Sequence, residues 1–227
     1  MQIDLNKTLN IVLEKRKLLS VVSRVGLAVD VSGSMEYFFA NGDVNELIQR
    51  TFLVADRFDD NHELDSKAFD CKFKNLEGIT ENNVQYYAED TLAPLVGGGT
   101  TYAPVIKGFL QDWFKARGFL GLFPKPPSKL PAFLILQTDG DNIHDNEGDV
   151  ERVLQETLNY PMFVFFLGLS EVEGKRFPKF ETWKRMFPNV DYLETHTLKH
   201  MKADAFYEKL ISQKLADFYH SHGISVK

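Results

Sequence analysis

Apolar residues along this chain fall into two recurring patterns, short unbroken runs and longer stretches at helical spacing, and the two alternate. Leu5, Leu9, Val12, Leu13 and Leu19 lie at near-helical intervals and predict a short amphipathic helix that caps the main fold. Val25-Gly26-Leu27-Ala28-Val29 is short, continuous and apolar, the pattern of a strand buried on both faces of a parallel sheet. Helical spacing returns from Asp43 to Phe58, and Leu64 to Phe69 reads as a second strand. A helix is expected near 84–93, and another from about Ala103 to Lys115 with Pro104 in its first turn.

The stretch 117–130 holds three prolines and two glycines and predicts a surface loop, within which Pro124-x-Pro126-Pro127 reads as plain loop rather than as a peptide-docking ligand. Beyond it the pattern gives a strand over Ala132 to Gln137, a helix over 147–158 and a strand over Met162 to Leu167. A helix near 180–186, a short strand near 191–193 and a last helix over 203–219 follow. The aromatic run Phe163-Val164-Phe165-Phe166 sits mid-strand and reads as core. Strands separated by helices predict an α/β fold, a doubly wound and mostly parallel sheet with helices on both faces.

Composition narrows the picture. With 227 residues, 44% hydrophobic and 26% charged, and with 19 Phe, the chain can bury a sizeable core. The apolar segments are evenly spaced without a polar linker, so residues 21–227 read as one domain behind the N-terminal helix of residues 1–20. A net charge of -6 gives no electrostatic reason to bind nucleic acid or an anionic membrane. The lone Cys71 cannot form an internal disulfide and suits a reducing, cytoplasmic setting, where it is expected to be a structural thiol. Lys15-Arg16-Lys17 before Leu18-Leu19-Ser20-Val21-Val22 faintly imitates a signal sequence. Ser23-Arg24 interrupts the apolar run and no small-residue cleavage pattern follows. No stretch reaches the roughly 18 apolar residues of a membrane span.

Three loops then stand out, because in doubly wound sheets ligands collect beyond the carboxyl ends of the strands. Asp30-Val31-Ser32-Gly33-Ser34 offers one carboxylate and two hydroxyls at alternate positions. Gly97-Gly98-Gly99 leads into Thr100-Thr101, and a strand ends in Thr138-Asp139-Gly140-Asp141-Asn142. Two carboxylates with hydroxyls suit Mg2+, which takes near-octahedral oxygen coordination and keeps waters; Mn2+ or Ca2+ fit less specifically. Zinc is disfavoured, since His144 is the only nitrogen or sulfur ligand nearby.

These three motifs, in this order, resemble the metal-ion-dependent adhesion site of von Willebrand factor A (vWA) domains over roughly residues 22–170. The resemblance implies a vWA domain over 21–227, with metal ligands at Asp30, Ser32, Ser34, Thr100 and Asp139. Thr101 competes with Thr100 and, with Asp141, is a candidate for the second shell. The wording Gly97-Gly98-Gly99-Thr100-Thr101-Tyr102-Ala103-Pro104 is similar to bacterial and phage cytoplasmic members, including those associated with tellurite resistance and stress response. The implied role is a non-enzymatic, Mg2+-dependent module in which a partner protein's Asp or Glu completes the metal shell. Met35, Tyr37, Phe38, Phe39 and Tyr102 are expected to form the partner-binding rim, with at least one of Phe38 and Phe39 exposed.

Blander readings stand beside these. Ser32 or Ser34 can cap a helix, and Asp141, Asn142, Asp145 and Asp149 read more naturally as a solvated loop with Asx-turns than as a second cation site. A phosphate cradle at the glycine loop lacks the Gly-Lys-Ser/Thr ending it needs. His196, His200, His220 and His222 read as surface histidines. The rival functions are a Mg2+-dependent phosphatase or phosphotransferase with Asp30 as nucleophile, which lacks a second aspartate because position 32 is serine, and a scaffold with a vestigial site that interacts through Lys179 to Phe187.

Overall fold

The computed structural model describes residues 2–115, 128–140 and 144–223. Asp141, Asn142, the prolines at 124, 126 and 127 and most of the expected loop at 117–130 lie outside the described residues. In chain order the elements are α1 (Gln2–Lys15), β1 (Arg24–Asp30), α2 (Glu36–Ala40), α3 (Asp43–Phe58), β2 (Asp65–Phe69), β3 (Phe73–Asn75), α4 (Ala103–Phe114), β4 (Ala132–Thr138), α5 (Asp149–Thr157), β5 (Met162–Leu169), α6 (Pro178–Met186), β6 (Val190–Thr195), α7 (Ala203–Leu210) and α8 (Gln213–Ser221).

The strands form one sheet in the order β3-β2-β1-β4-β5-β6, parallel throughout except for the antiparallel edge strand β3. The expected doubly wound α/β architecture is the observed one. Winding reverses between β1 and β4, so their carboxyl ends, Asp30 and Thr138, open on the switch-point crevice.

Side chains alternate across each strand. Phe133, Ile135, Phe163 and Phe165 enter a core shared with α1, α3, α7 and α8, while Leu134, Leu136, Val164 and Phe166 enter a second core with α4, α5 and α6. The aromatic run of β5 therefore stitches both layers together. Among the described residues no helix is long and apolar enough to cross a membrane.

Three expectations need correction, and one strand was not anticipated. The region 84–93 is not a regular helix but turns followed by a π-helical turn, Ala88–Leu92, and a 3-10 turn, Ala93–Leu95. The last helix is two: Ile211 leaves helical geometry, and Ser212 starts α8 by accepting a hydrogen bond from the Leu215 amide. Strand β3 follows β2 through a tight turn in which Asp70 takes the Lys72 amide on its side chain at 2.7 Å and donates its own amide to the Lys72 carbonyl at 2.8 Å. Cys71 lies in this turn and is exposed, so it packs in no core.

Candidate functional site

β1 delivers Asp30 to the crevice as a fully buried carboxylate. Its Oδ1 accepts the Ser32 amide at 2.8 Å, and its Oδ2 accepts the Thr138 hydroxyl at 2.6 Å. The Asx-type turn at Asp30 carries the chain round so that the Ser32 and Ser34 hydroxyls stand 3.2 Å apart, and Ser34 donates to Asp139 Oδ1 at 2.9 Å. Asp30, Ser32, Ser34 and Asp139 thus form one continuous polar chain across the ends of β1 and β4. The capping alternative fails for Ser32: it precedes the short turn Gly33–Met35, yet its side chain makes no capping bond.

The glycine-threonine loop is sewn to this chain by two backbone bonds, Gly97 N–H to the Val31 carbonyl at 2.7 Å and Gly33 N–H to the Gly98 carbonyl at 3.3 Å. Gly98 has a left-handed φ of +80°, and a Cβ there would sit 2.8 Å from Asp70 Oδ2, so glycine is required. Thr101 spends both its amide and its hydroxyl on the Asp70 carbonyl, each at 2.9 Å. Among the described residues the Thr100 hydroxyl makes no hydrogen bond, while its amide donates to His144 Nδ1 at 3.1 Å. The two threonines thus differ in their commitments: Thr101 holds the loop, and Thr100 keeps its hydroxyl available among the described residues.

Charge in the crevice is poorly compensated by the chain itself. Burial pushes Asp30 from 3.8 up to about 6, with the bonds from Thr138 and Ser32 opposing and the Asp139 charge adding to the rise. Burial likewise raises Asp139, against the bond from Ser34 and the nearby Lys175 ammonium, which donates to the Asp139 carbonyl at 3.1 Å. Each carboxylate oxygen in use retains a second lone pair. Among the described residues no group of three or more His, Cys, Asp and Glu gathers. The donors at this point are two carboxylates and hydroxyl oxygens, a hard set that fits Mg2+ better than a nitrogen- or sulfur-seeking ion.

The expected rim divides. Tyr37 is exposed and Phe39 half-buried against the core, but Met35, Phe38 and Tyr102 are buried. Met35 sulfur meets Gln137 Nε2 at 3.4 Å, and Phe38 packs in the α3-side core. The Tyr102 hydroxyl bonds the Gly140 carbonyl beside Thr138, and its ring is ringed by Phe69, Phe166, Phe180 and Trp183. Neither Phe38 nor Phe39 is fully exposed. Asp145 is spent at the start of α4, accepting the Tyr102 and Ala103 amides at 2.7 and 3.3 Å, and Asp149 accepts from Asn146 and Arg152. These are turn and capping roles. Residue-type reasoning missed Thr138, which fixes Asp30, and Lys175, which fixes Asp139. Thr138 was visible as the hydroxyl preceding Asp139; Lys175 had no signal in its neighbours.

The switch-point crevice, its hard oxygen donors and the 3-2-1-4-5-6 sheet define a vWA-type domain. The chain belongs to the vWA family described as found in the TerF C terminus, whose model matches residues 22–219, and is thereby related to the tellurite-resistance vWA proteins. It is 29% identical over 219 residues to the uncharacterised protein YcbR of Bacillus subtilis (strain 168), covering 93% of this chain and 84% of that one. Among solved structures it superposes on a von Willebrand factor type A protein from Catenulispora acidiphila with a TM-score of 0.56 at 15% identity, over 86% of this chain and 42% of that one. Proximal thread matrix protein 1 of the mussel byssus, solved with zinc in its metal-ion-dependent adhesion motif, matches with a TM-score of 0.54 at 16% identity, over 85% of this chain and 48% of that one. The chain spans less than half the length of these solved proteins, and the likeness is one of fold.

Proposed function

We propose that this domain is a non-enzymatic, Mg2+-dependent protein-binding module, in which Asp30, Ser32, Ser34, Thr100 and Asp139 hold the ion and a partner's Asp or Glu completes its shell. The observation that carries the reading is the continuous chain from Asp30 through both serines to Asp139, with two buried carboxylates whose charged forms the protein itself disfavours. A divalent cation offsets that cost, and the zinc in the motif of the mussel protein of similar fold supports a divalent occupant here. Hard donors favour Mg2+ here, with Mn2+ and Ca2+ as substitutes. A phosphoryl-transfer role is disfavoured because Asp30 is buried with both oxygens engaged and no lysine or arginine among the described residues bonds it. On this reading the module works in a cytoplasmic bacterial or phage stress or tellurite-resistance system, and the match to the vWA domain found in the TerF C terminus supports the tellurite-resistance part of it.

The test is calorimetric titration of Mg2+ into chelator-treated protein, with Asp139→Ala alongside, followed by capture of partners from extract with Mg2+ or with chelator. Saturable binding lost in Asp139→Ala, with partners retained only in Mg2+, is the expected result. Absence of binding by folded protein, or phosphate release from an aryl phosphate, overturns the reading.

A further inference from the structure

A groove of about 760 Å³ opens directly from the metal loop, beginning at Gly33 and running between α2, the start of α3 and the irregular turns at 88–96. It is continuous with the proposed partner face, since Val96 adjoins Gly97, whose amide is bonded to the Val31 carbonyl. Its apolar lining comes from Phe39, Ala40, Ala88, Ala93 and Val96. Two carboxylates, Glu36 and Glu89, line it and are exposed, and among the described residues neither makes an ion pair or a side-chain hydrogen bond. Asn45 lines it as well, and its buried Oδ1 has no hydrogen-bond partner. Lys199, lying over Gly42, is the one cationic residue of the lining among the described residues.

The groove therefore presents acceptors, while the adjoining ion calls for an acceptor from the partner. A single acidic residue satisfies the ion and leaves the groove's carboxylates unanswered. We infer that the partner segment is bipolar: an Asp or Glu reaches the ion, and an arginine a few residues away lies in the groove, its stem on the apolar lining and its guanidinium on Glu36 and Glu89. Arginine suits this better than lysine, because its planar fork serves several acceptors at once and its stem covers apolar surface. This inference rests on the metal-site reading above.

The experiment uses three pools of fluorescently labelled octapeptides, each randomised around one fixed Asp, with Arg, Ala or Glu fixed three residues away. Fluorescence polarisation with the whole chain is read in Mg2+ and in chelator, for the native sequence and for a Glu36→Gln, Glu89→Gln double variant, with Mg2+ affinity of each protein measured by calorimetry. The Arg pool is expected to bind roughly three- to tenfold more tightly than the Ala pool in Mg2+, the Glu pool more weakly than either, and the Arg advantage to vanish in the double variant at unchanged Mg2+ affinity. An Arg pool no tighter than the Ala pool, whether both bind or neither does, overturns the groove assignment. So does an Arg advantage that survives in the double variant. Calorimetry reports separately on the site: Mg2+ binding without an Arg preference sinks the groove alone, whereas no Mg2+ binding sinks the reading on which it rests.

Discussion

Asp30 is held at about 6 rather than 3.8 because it is buried, so the folded chain binds its proton more tightly than the unfolded chain does. In metal-free protein its contribution to stability is full below the unfolded value and is lost as pH rises through about 6. Asp139 shifts in the same direction. Thermal melts in chelator should therefore show the native sequence losing stability between pH 4 and pH 7 relative to Asp30→Asn, which cannot ionise. A shift of about two units corresponds to roughly 3 kcal/mol at most. Asp59, also raised to about 6 by burial, keeps its own pH dependence in both proteins and cancels from the difference. Equal profiles for the two proteins would refute the electrostatic account. The two threonines separate in the same way. Thr100→Val should weaken Mg2+ binding in calorimetry with little change in melting, whereas Thr101→Val, which gives up the bond to the Asp70 carbonyl, should cost about 1 kcal/mol of stability. The five proposed ligands were legible because oxygen-bearing residues beside glycine, at strand ends, have few structural uses. The rim was not. The chain turns helical within a residue or two of Ser34, and that period sends Met35 and Phe38 inward while Tyr37 stays out.

Elements were legible where packing has two faces to fill. β1, β4 and β5 are buried end to end apart from Arg24, and each is built around an unbroken apolar run in the sequence. Gly26 shows how closely such a strand is covered: a Cβ there would lie 2.6 Å from Phe109 and Trp113 of α4. Gly26→Ala should then cost about 1–3 kcal/mol by overpacking. In a melt this is a loss of several degrees, and an unchanged melting temperature would mean that α4 shifts without penalty. What stayed illegible was decided by local bonds rather than by apolar pattern. β3 is three residues, Phe73-Lys74-Asn75, with only the first partly buried, and it exists because the Asp70 turn folds it back on β2. The break between α7 and α8 hides inside a continuous helical periodicity, since Leu210, Ile211 and Leu215 are all buried; only Ser212, a capping residue, marks it. Around 84–93, Val84, Tyr87, Ala88 and Leu92 keep helical spacing and are buried, yet Pro94 limits the run and the backbone settles into π and 3-10 turns. Those turns form one wall of the groove beside the metal loop.

At the scale of the whole molecule, α1 is part of the fold rather than an attachment to it. The family match begins at residue 22, after the helix ends. The packing argues for integration: Leu9, Val12, Leu13 and Leu18 are 0–2% exposed and share the core with α3, α7 and α8. Arg16 fastens the end of α1 to the α7–α8 junction, donating to the Ile211 carbonyl at 3.2 Å, Gln213 Oε1 at 3.1 Å and Glu208 Oε2 at 3.1 Å. Uncovering four such side chains costs on the order of 6–12 kcal/mol as an upper bound, which is comparable with the whole net stability of a domain, about 5–15 kcal/mol. A chain lacking residues 1–20 should therefore lose cooperative unfolding and expose apolar surface to a hydrophobic dye, although every proposed metal ligand is retained. Leu9→Ala and Leu13→Ala, each worth about 2–5 kcal/mol, keep the test quantitative if the truncated chain does not fold at all. The metal loop lies at the carboxyl ends of the strands and α1 supplies none of its donors, so these point variants should lower the melting temperature while leaving Mg2+ affinity at ambient temperature unchanged. Cooperative melting of the truncated chain near the native temperature would show instead that the sheet and its remaining helices close the core without α1.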